Sequence, residues 1–139
     1  MTIRTWVFGR VRVRRRRVRI RRRRSRVSAS SRTLYVKHKE QARELVTRKL
    51  AEFNLFYKFD YNRIAIKNHS TRWGSCSKKG NLNFNFRLAL IPEPLVDYVV
   101  AHELCHLGEF NHSKDFWHLL SQTVPNYVEL RRQLHKVQL

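Results

Sequence analysis

The chain has 139 residues, a length that fits one compact domain, and a hydrophobic fraction of 42% supplies one core. Its formal net charge is +20, with 30 Lys and Arg against 10 Asp and Glu, a field that attracts phosphate polymers and anionic surfaces. Two cysteines, Cys76 and Cys105, exclude a disulfide framework and predict a reducing, cytoplasmic setting; no apolar run reaches the roughly 18 residues that a membrane span needs.

Met1–Gly9 is too short and too polar for a signal-peptide core. Thirteen of the 30 basic residues lie in 1–26, where there is no acid. From Arg10 to Arg26 arginine alternates with Val11, Val13, Val18 and Ile20, which permits either a two-stranded ribbon or a basic arm. Val27–Ser31 reads as a linker, so the expected division is an Arg-rich segment over 1–31 and a folded domain over 32–139. The tract is a candidate site for nonspecific binding of nucleic acid or another polyanion.

Ala42, Leu45, Val46, Leu50 and Phe53 recur at helical spacing, predicting a surface helix from about Lys37 to Phe56. Arg63–Lys67 is a strand candidate, and Lys78-Lys79-Gly80-Asn81 a turn. Leu82, Phe84, Phe86 and Leu88 alternate with Asn83, Asn85 and Arg87, predicting a second strand with the polar set outward. An antiparallel hairpin or meander over about 62–88 is expected. Pro92 and Pro94 open a helix running from about Glu93 to Leu107, with Gly108 placed to end it. Further helices start near Ser113 and Pro125. Helix, strands, then helices give an α+β domain with a small sheet.

His102-Glu103-Leu104-Cys105-His106 is H-E-x-x-H on a predicted helix. Four-residue spacing puts both imidazoles on one face, within reach of one ion, and Glu103 beside a metal-bound water. A catalytic zinc takes three protein ligands and leaves one place for water. For the third, His112 competes with Glu109 and Glu129; ligand preference and the turn expected at Gly108 favour His112. Three features support a metal site. Four of the seven histidines fall within 102–118. Leu95, Val96, Val99 and Val100 predict a buried helix whose polar groups need partners. Residues 93–115 hold five acids against the single base Lys114. The chemistry expected is hydrolysis by a zinc-activated water, with Glu103 as general base and then acid.

R-W-G-S-C-S at 72–77, G-N-L-N-F-N at 80–85, Y-V-V-A-H-E-L-C-H-L at 98–107 and N-H-S-K-D-F-W at 111–117 resemble the YgjP-like family of predicted metallopeptidase-like hydrolases, related in pattern to SprT-like zincins. The likeness covers about 60–139 well and the preceding helix loosely. It implies a zincin-like fold, with a small antiparallel or mixed sheet against the H-E-x-x-H helix and C-terminal helices. It implies one zinc on His102, His106 and His112, with Glu103 as catalytic base. Relatives carry a longer β-rich N-terminal region, where this chain has a short, mostly arginine segment.

Arg72, Asn85 and Tyr98 are the candidate substrate-binding residues. Arg72 is suited to a carboxylate or phosphate, or to a salt bridge that pins its loop. Asn85 is placed to bond substrate or to support the R-W-G-S-C loop. Tyr98 lies one turn before His102, on the metal side, as a donor to a reaction intermediate or as a buried structural tyrosine. Trp73 and Cys105 are expected in the core, Cys76 as a small buried thiol, and Gly74 at a tight bend. Phe116 and Trp117 are expected to pack behind His112, and His118 has no assigned role. The reading is a zinc hydrolase, metallopeptidase-like, acting on a peptide. Nucleoside triphosphate hydrolysis on the same metal site is one alternative, which fits Arg72, Lys78 and Lys79. A nucleic-acid-binding protein with a structural zinc is another, for which Glu103 would be superfluous.

Overall fold

The protein is described from a computed structural model covering residues 28–139; the Arg10–Arg26 tract, with its expected arm or ribbon, lies outside the described residues. Helix α1 spans Ala29–Tyr57, starting inside the stretch expected to be a linker. Ser28 caps it, its hydroxyl accepting from the Ser31 amide. The early turns are also held from a distance. Tyr35 donates to the Ile66 carbonyl at 3.1 Å, and Ser31 donates to Asn68 and accepts from Arg87. No Gly or Pro interrupts the run, so the helix extends as far as its contacts reach. Ala42, Val46 and Leu50 are buried along the expected stripe, with Leu45 and Phe53 partly so.

Three strands follow: β1 (Arg63–Lys67), β2 (Gly74–Cys76) and β3 (Asn81–Asn85), in the order β1-β3-β2. Strands β2 and β3 form an antiparallel hairpin, but β1 runs parallel to β3, so the sheet is mixed and not the expected antiparallel hairpin or meander. The reason is burial. Strand β3 carries Leu82 and Phe84, both with no exposed surface, and takes the centre, where both its edges are paired.

The expected strand over 82–88 stops at Asn85. Phe86–Leu90 is a 3-10 helix, and Phe86 and Leu88 reach the core from there. Asn85 turns the chain, its side-chain oxygen accepting from the Arg87 amide at 3.0 Å. Expected to point outward, Asn85 is instead completely buried. Its amide group donates to the carbonyls of His69 at 2.9 Å and Arg72 at 3.0 Å, and its backbone N–H donates to Trp73. Both of its side-chain polar atoms and its backbone N–H are engaged by the chain. It supports the 69–73 loop and cannot reach a substrate, a correction to its candidate role.

Helix α2 (Glu93–Cys105) is the centre of the molecule and packs against α1, β2, α3 (Lys114–Ser121) and α4 (Tyr127–Lys136). Leu95, Val96, Val99, Val100, Ala101, Leu104 and Cys105 are all buried. Lys49 clamps α1 to its first turns, with Nζ at 2.6 Å from Glu93 and 2.9 Å from Asp97. The result is an α+β fold with the small sheet on one side of α2 and the C-terminal helices on another.

Replacing Asn85 by Ala removes the bonds to the His69 and Arg72 carbonyls and to the Arg87 amide, and only the His69 carbonyl keeps another donor, Arg87. We expect a stability loss of about 3 kcal/mol in urea unfolding; a loss under about 1 kcal/mol would show that the loop does not depend on these bonds.

Candidate metal centre

Helix α2 brings His102 and His106 to one face, one turn apart. It ends at Cys105, two residues before the expected end, and His106 caps it. The chain then turns: the amides of Gly108 and Glu109 donate to the Cys105 carbonyl. Gly108 contributes by close approach, since a Cβ there would lie 2.7 Å from the Phe59 ring. The turn carries His112 back toward α2, and Ser113 then caps α3.

Three imidazoles converge. His102 Nε2 lies 3.2 Å from His106 Nε2 and 3.1 Å from His112 Nε2. His106 Nδ1 is 3.0 Å from the Glu109 carbonyl, which can only accept, so the proton sits on Nδ1 and the Nε2 lone pair faces the cluster. Nitrogens on a tetrahedral zinc lie about 3.3 Å apart. The spacing and the lone-pair direction therefore fit a shared divalent cation. Burial pushes His102 down to about 3, helped by the neighbouring charges of His106, His112 and Arg131; His106 is lowered too, again chiefly by burial. Both rings are held neutral, the form that ligates. His112 is exposed, but its ring stacks on Trp117 with centroids 5.6 Å apart, and Phe116 lies behind all three histidines.

Neither rival third donor joins the cluster. Glu109 contributes its backbone carbonyl, and Glu129 bonds Arg132 and Gln133 on α4. Among the described residues, His102, His106 and His112 are the group of three donors whose atoms fall together, within 4.8 Å. His118 is exposed and bonds within its own helix. Cys76 and Cys105 are both pushed to about 11 by burial, which keeps them protonated thiols.

Glu103 is 7% exposed and sits under β2. A Cβ on Gly74 would lie 2.8 Å from Glu103 Cγ, so glycine there makes room for the carboxylate. Burial raises Glu103 to about 8, and the Arg72 charge works against that rise. Arg72 itself is exposed. Tyr98 is buried, with its ring 5.6 Å from that of His102, and burial keeps its phenol protonated. Trp73, Gly74, Tyr98, Val99, His102, Glu103 and Leu134 line a cavity of about 160 Å³. Trp73, expected in the core, is half-buried and forms one of its walls.

Two contributors went unseen in the sequence, Leu134 and Arg131. Both lie on α4, and the Arg131 guanidinium sits 5.1 Å from the Trp117 ring centroid. Their one signal is the amphipathic spacing of that helix.

The fold is shared with two crystallised metallopeptidase zymogens. Abylysin of Pyrococcus abyssi aligns at 20% identity and a TM-score of 0.59, over 64% of this chain and 90% of that one. Jannalysin of Methanocaldococcus jannaschii aligns at 23% and 0.54, over 68% and 94%. No curated protein matches the chain. Architecture and site together define a zincin-like, metallopeptidase-type protein. The chain belongs to the YgjP-like family, whose metallopeptidase domain matches residues 9–137. That match reaches further toward the N-terminus than the resemblance read from motifs, and takes in the Arg-rich segment. It supports a metal-dependent, peptidase-like hydrolase.

Ionising a buried carboxyl costs folding free energy. Glu103 titrates near 4.5 when unfolded and about 8 when folded, so its contribution is fully present below 4.5 and is lost as pH rises toward 8. The chelator-treated Glu103→Gln protein should therefore gain on the chelator-treated wild type progressively from pH 4.5 to 8 in chemical denaturation. A difference that stays constant with pH would mean that Glu103 is not desolvated.

Proposed function

We propose that the protein is a zinc-dependent peptidase in which His102, His106 and His112 hold one zinc and Glu103 is the general base. The observation that carries this is the convergence of three imidazoles beside a buried carboxyl aligned by Gly74. A bound zinc supplies Lewis acidity and lowers the pKa of water to about 7.

The remaining chemistry belongs to this chain. Glu103, raised by burial, takes the proton of the attacking water and returns it to the departing amine. Tyr98, kept protonated, offers a hydrogen bond beside His102 to the oxygen on which charge develops. Arg72 holds positive charge near Glu103 and is free to meet a substrate carboxylate. The cavity walls Trp73, Val99 and Leu134 exclude water from one side of the site. Peptide hydrolysis is favoured over phosphoanhydride hydrolysis by the family's metallopeptidase domain. Among the described residues no helix is long and apolar enough to cross a membrane, and the two free thiols suit a reducing cytoplasm. The Arg10–Arg26 segment would add salt-sensitive affinity for polyanions without altering the site.

Metal analysis of the full chain should find about one zinc, falling sharply in His112→Ala. Glu103→Gln should keep zinc and lose peptide hydrolysis by at least about 100-fold; retained activity would refute the proposed base. Gly74→Ala should also keep zinc and, by displacing Glu103, lower kcat by about 100-fold. Unchanged kcat in that variant would mean that Glu103 is not fixed by β2.

A further inference from the structure

Two cavities flank the imidazole cluster along α2. The one beside Tyr98 and Val99 lies a turn before His102. The other, of about 280 Å³, is lined by Phe59, Asp60, Lys78, Lys79, Leu107 and Phe110, of which Leu107 follows His106 directly and Phe110 lies in the turn after it. Strand β2 joins the two ends, with Gly74 over Glu103 and the Lys78–Lys79 turn just beyond Cys76.

Both ends are cationic. Arg72 adjoins Trp73 in the wall of the first cavity. Arg131 lies one turn from Leu134 on α4 and is held over Trp117, whose ring also stacks on His112. Arg131 is therefore fixed two stacking contacts from a candidate ligand, at lower entropic cost than a free side chain. Its charge is felt at both His102 and Tyr98. Among the described residues, Arg72, Arg131, Lys78 and Lys79 form no ion pair. Elsewhere in the domain Arg48, Lys49 and Arg132 do pair with carboxylates. Asp60 is the only carboxylate besides Glu103 that lines either cavity. Phe59, Leu107 and Phe110 add apolar wall to the second cavity, and Phe110 stands 44% exposed.

We propose that the cleft selects peptides carrying side-chain carboxylates on both sides of the bond to be cut, with Arg72 and Arg131 receiving one and Lys78 and Lys79 the other. The proposal rests on the peptidase reading for its cleavage step, but binding tests it separately. The two cavities share no residue and stand at different points of the chain through the site, Tyr98 and Val99 before His102 and Leu107 and Phe110 after His106, so each is assigned its own carboxylate. An extended acidic peptide is the ligand that satisfies both while presenting a backbone carbonyl between them.

The test uses full-length, zinc-loaded Glu103→Gln protein and end-blocked peptides with Glu on both sides of a central bond. The same peptide with Gln is the neutral arm, and the Gln peptide with a free C-terminus separates side-chain from terminal carboxylate. A nucleoside triphosphate is the phosphate arm. The blocked Glu peptide should bind about tenfold tighter than either Gln peptide at low salt, with the preference shrinking as salt rises. Adding Arg72→Gln with Arg131→Gln, or Lys78→Gln with Lys79→Gln, should each cut that preference about threefold, and Arg131→Lys should restore part of it. Zinc content and thermal unfolding of each variant identify any that fail to fold. A preference that persists undiminished in both double variants belongs to the N-terminal arginines and overturns the proposal. So does tighter binding of the free-terminus Gln peptide or of the nucleotide. If the preference holds and the wild type cleaves no peptide, the hydrolase reading fails and the acidic-ligand inference stands.

Discussion

Three imidazole nitrogens brought into contact without a cation need a shared proton between them, or they repel. In this chain they stand 3.1–3.2 Å apart around His102, and the surrounding structure forces that approach. His102 and His106 cannot rotate away because α2 is buried along nearly its whole length. His112 is the mobile partner by location, being exposed on a turn, and it is fixed by stacking on Trp117 and by Phe116 behind the cluster. The rigid part of the site is thus set by the core, and the third donor by aromatic packing from α3. A positive ion would relieve this crowding of donors, which is the physical sense in which metal binding and folding would be linked here.

Glu103 poses a second conflict of the same kind. A carboxyl at 7% exposure is costly to ionise, yet the role of base proposed for it requires that it shed its proton. Its place depends on a relay of local structure. Asn85 holds the 69–73 loop, the loop delivers Gly74 into β2, and Gly74 admits the carboxylate where any side chain would collide. Arg72, at the end of the same loop, supplies the charge that moderates the cost. Loop support, strand placement and carboxylate chemistry are therefore one mechanical unit, although its parts lie between 69 and 103 in the chain.

The most local features were legible in the sequence. The i, i+4 histidines, the apolar residues preceding them, and the prolines opening α2 all report on the residue's own helix, and the structure follows them. The α+β class and the gathering of His112 with His102 and His106 were readable as well. What escaped depends on partners far away in sequence. The start of α1 at Ala29 relies on contacts with Asn68, Ile66 and Arg87. The parallel pairing of β1 with β3 is decided by which strand is most worth burying, and alternation alone does not reveal it. Asn85 sits on the polar side of an alternating run, yet the strand ends there and its side chain turns inward to satisfy a loop. Arg131 and Leu134 carry no motif and reach the site because α4 packs on α2.

The charge of the body acquires meaning in the same way. Composition alone suggests only attraction to anions, and the N-terminal arginines dominate that count. Within the described domain Lys49 and Arg48 engage Glu52, Glu93 and Asp97, Arg43 engages Glu40, and on α4 Arg132 engages Glu129. The guanidinium and ammonium groups beside the two cavities are left without such partners. A site that must deprotonate water beside a buried carboxyl gains from cations at a distance, because they lower the cost of the carboxylate without occupying the reaction space. In the reading proposed here the same groups would bias which ligands enter: Arg72, whose charge opposes the rise of the Glu103 pKa, would also draw an acidic chain toward the carboxyl, so ease of ionisation and ligand preference would share one arrangement of charge.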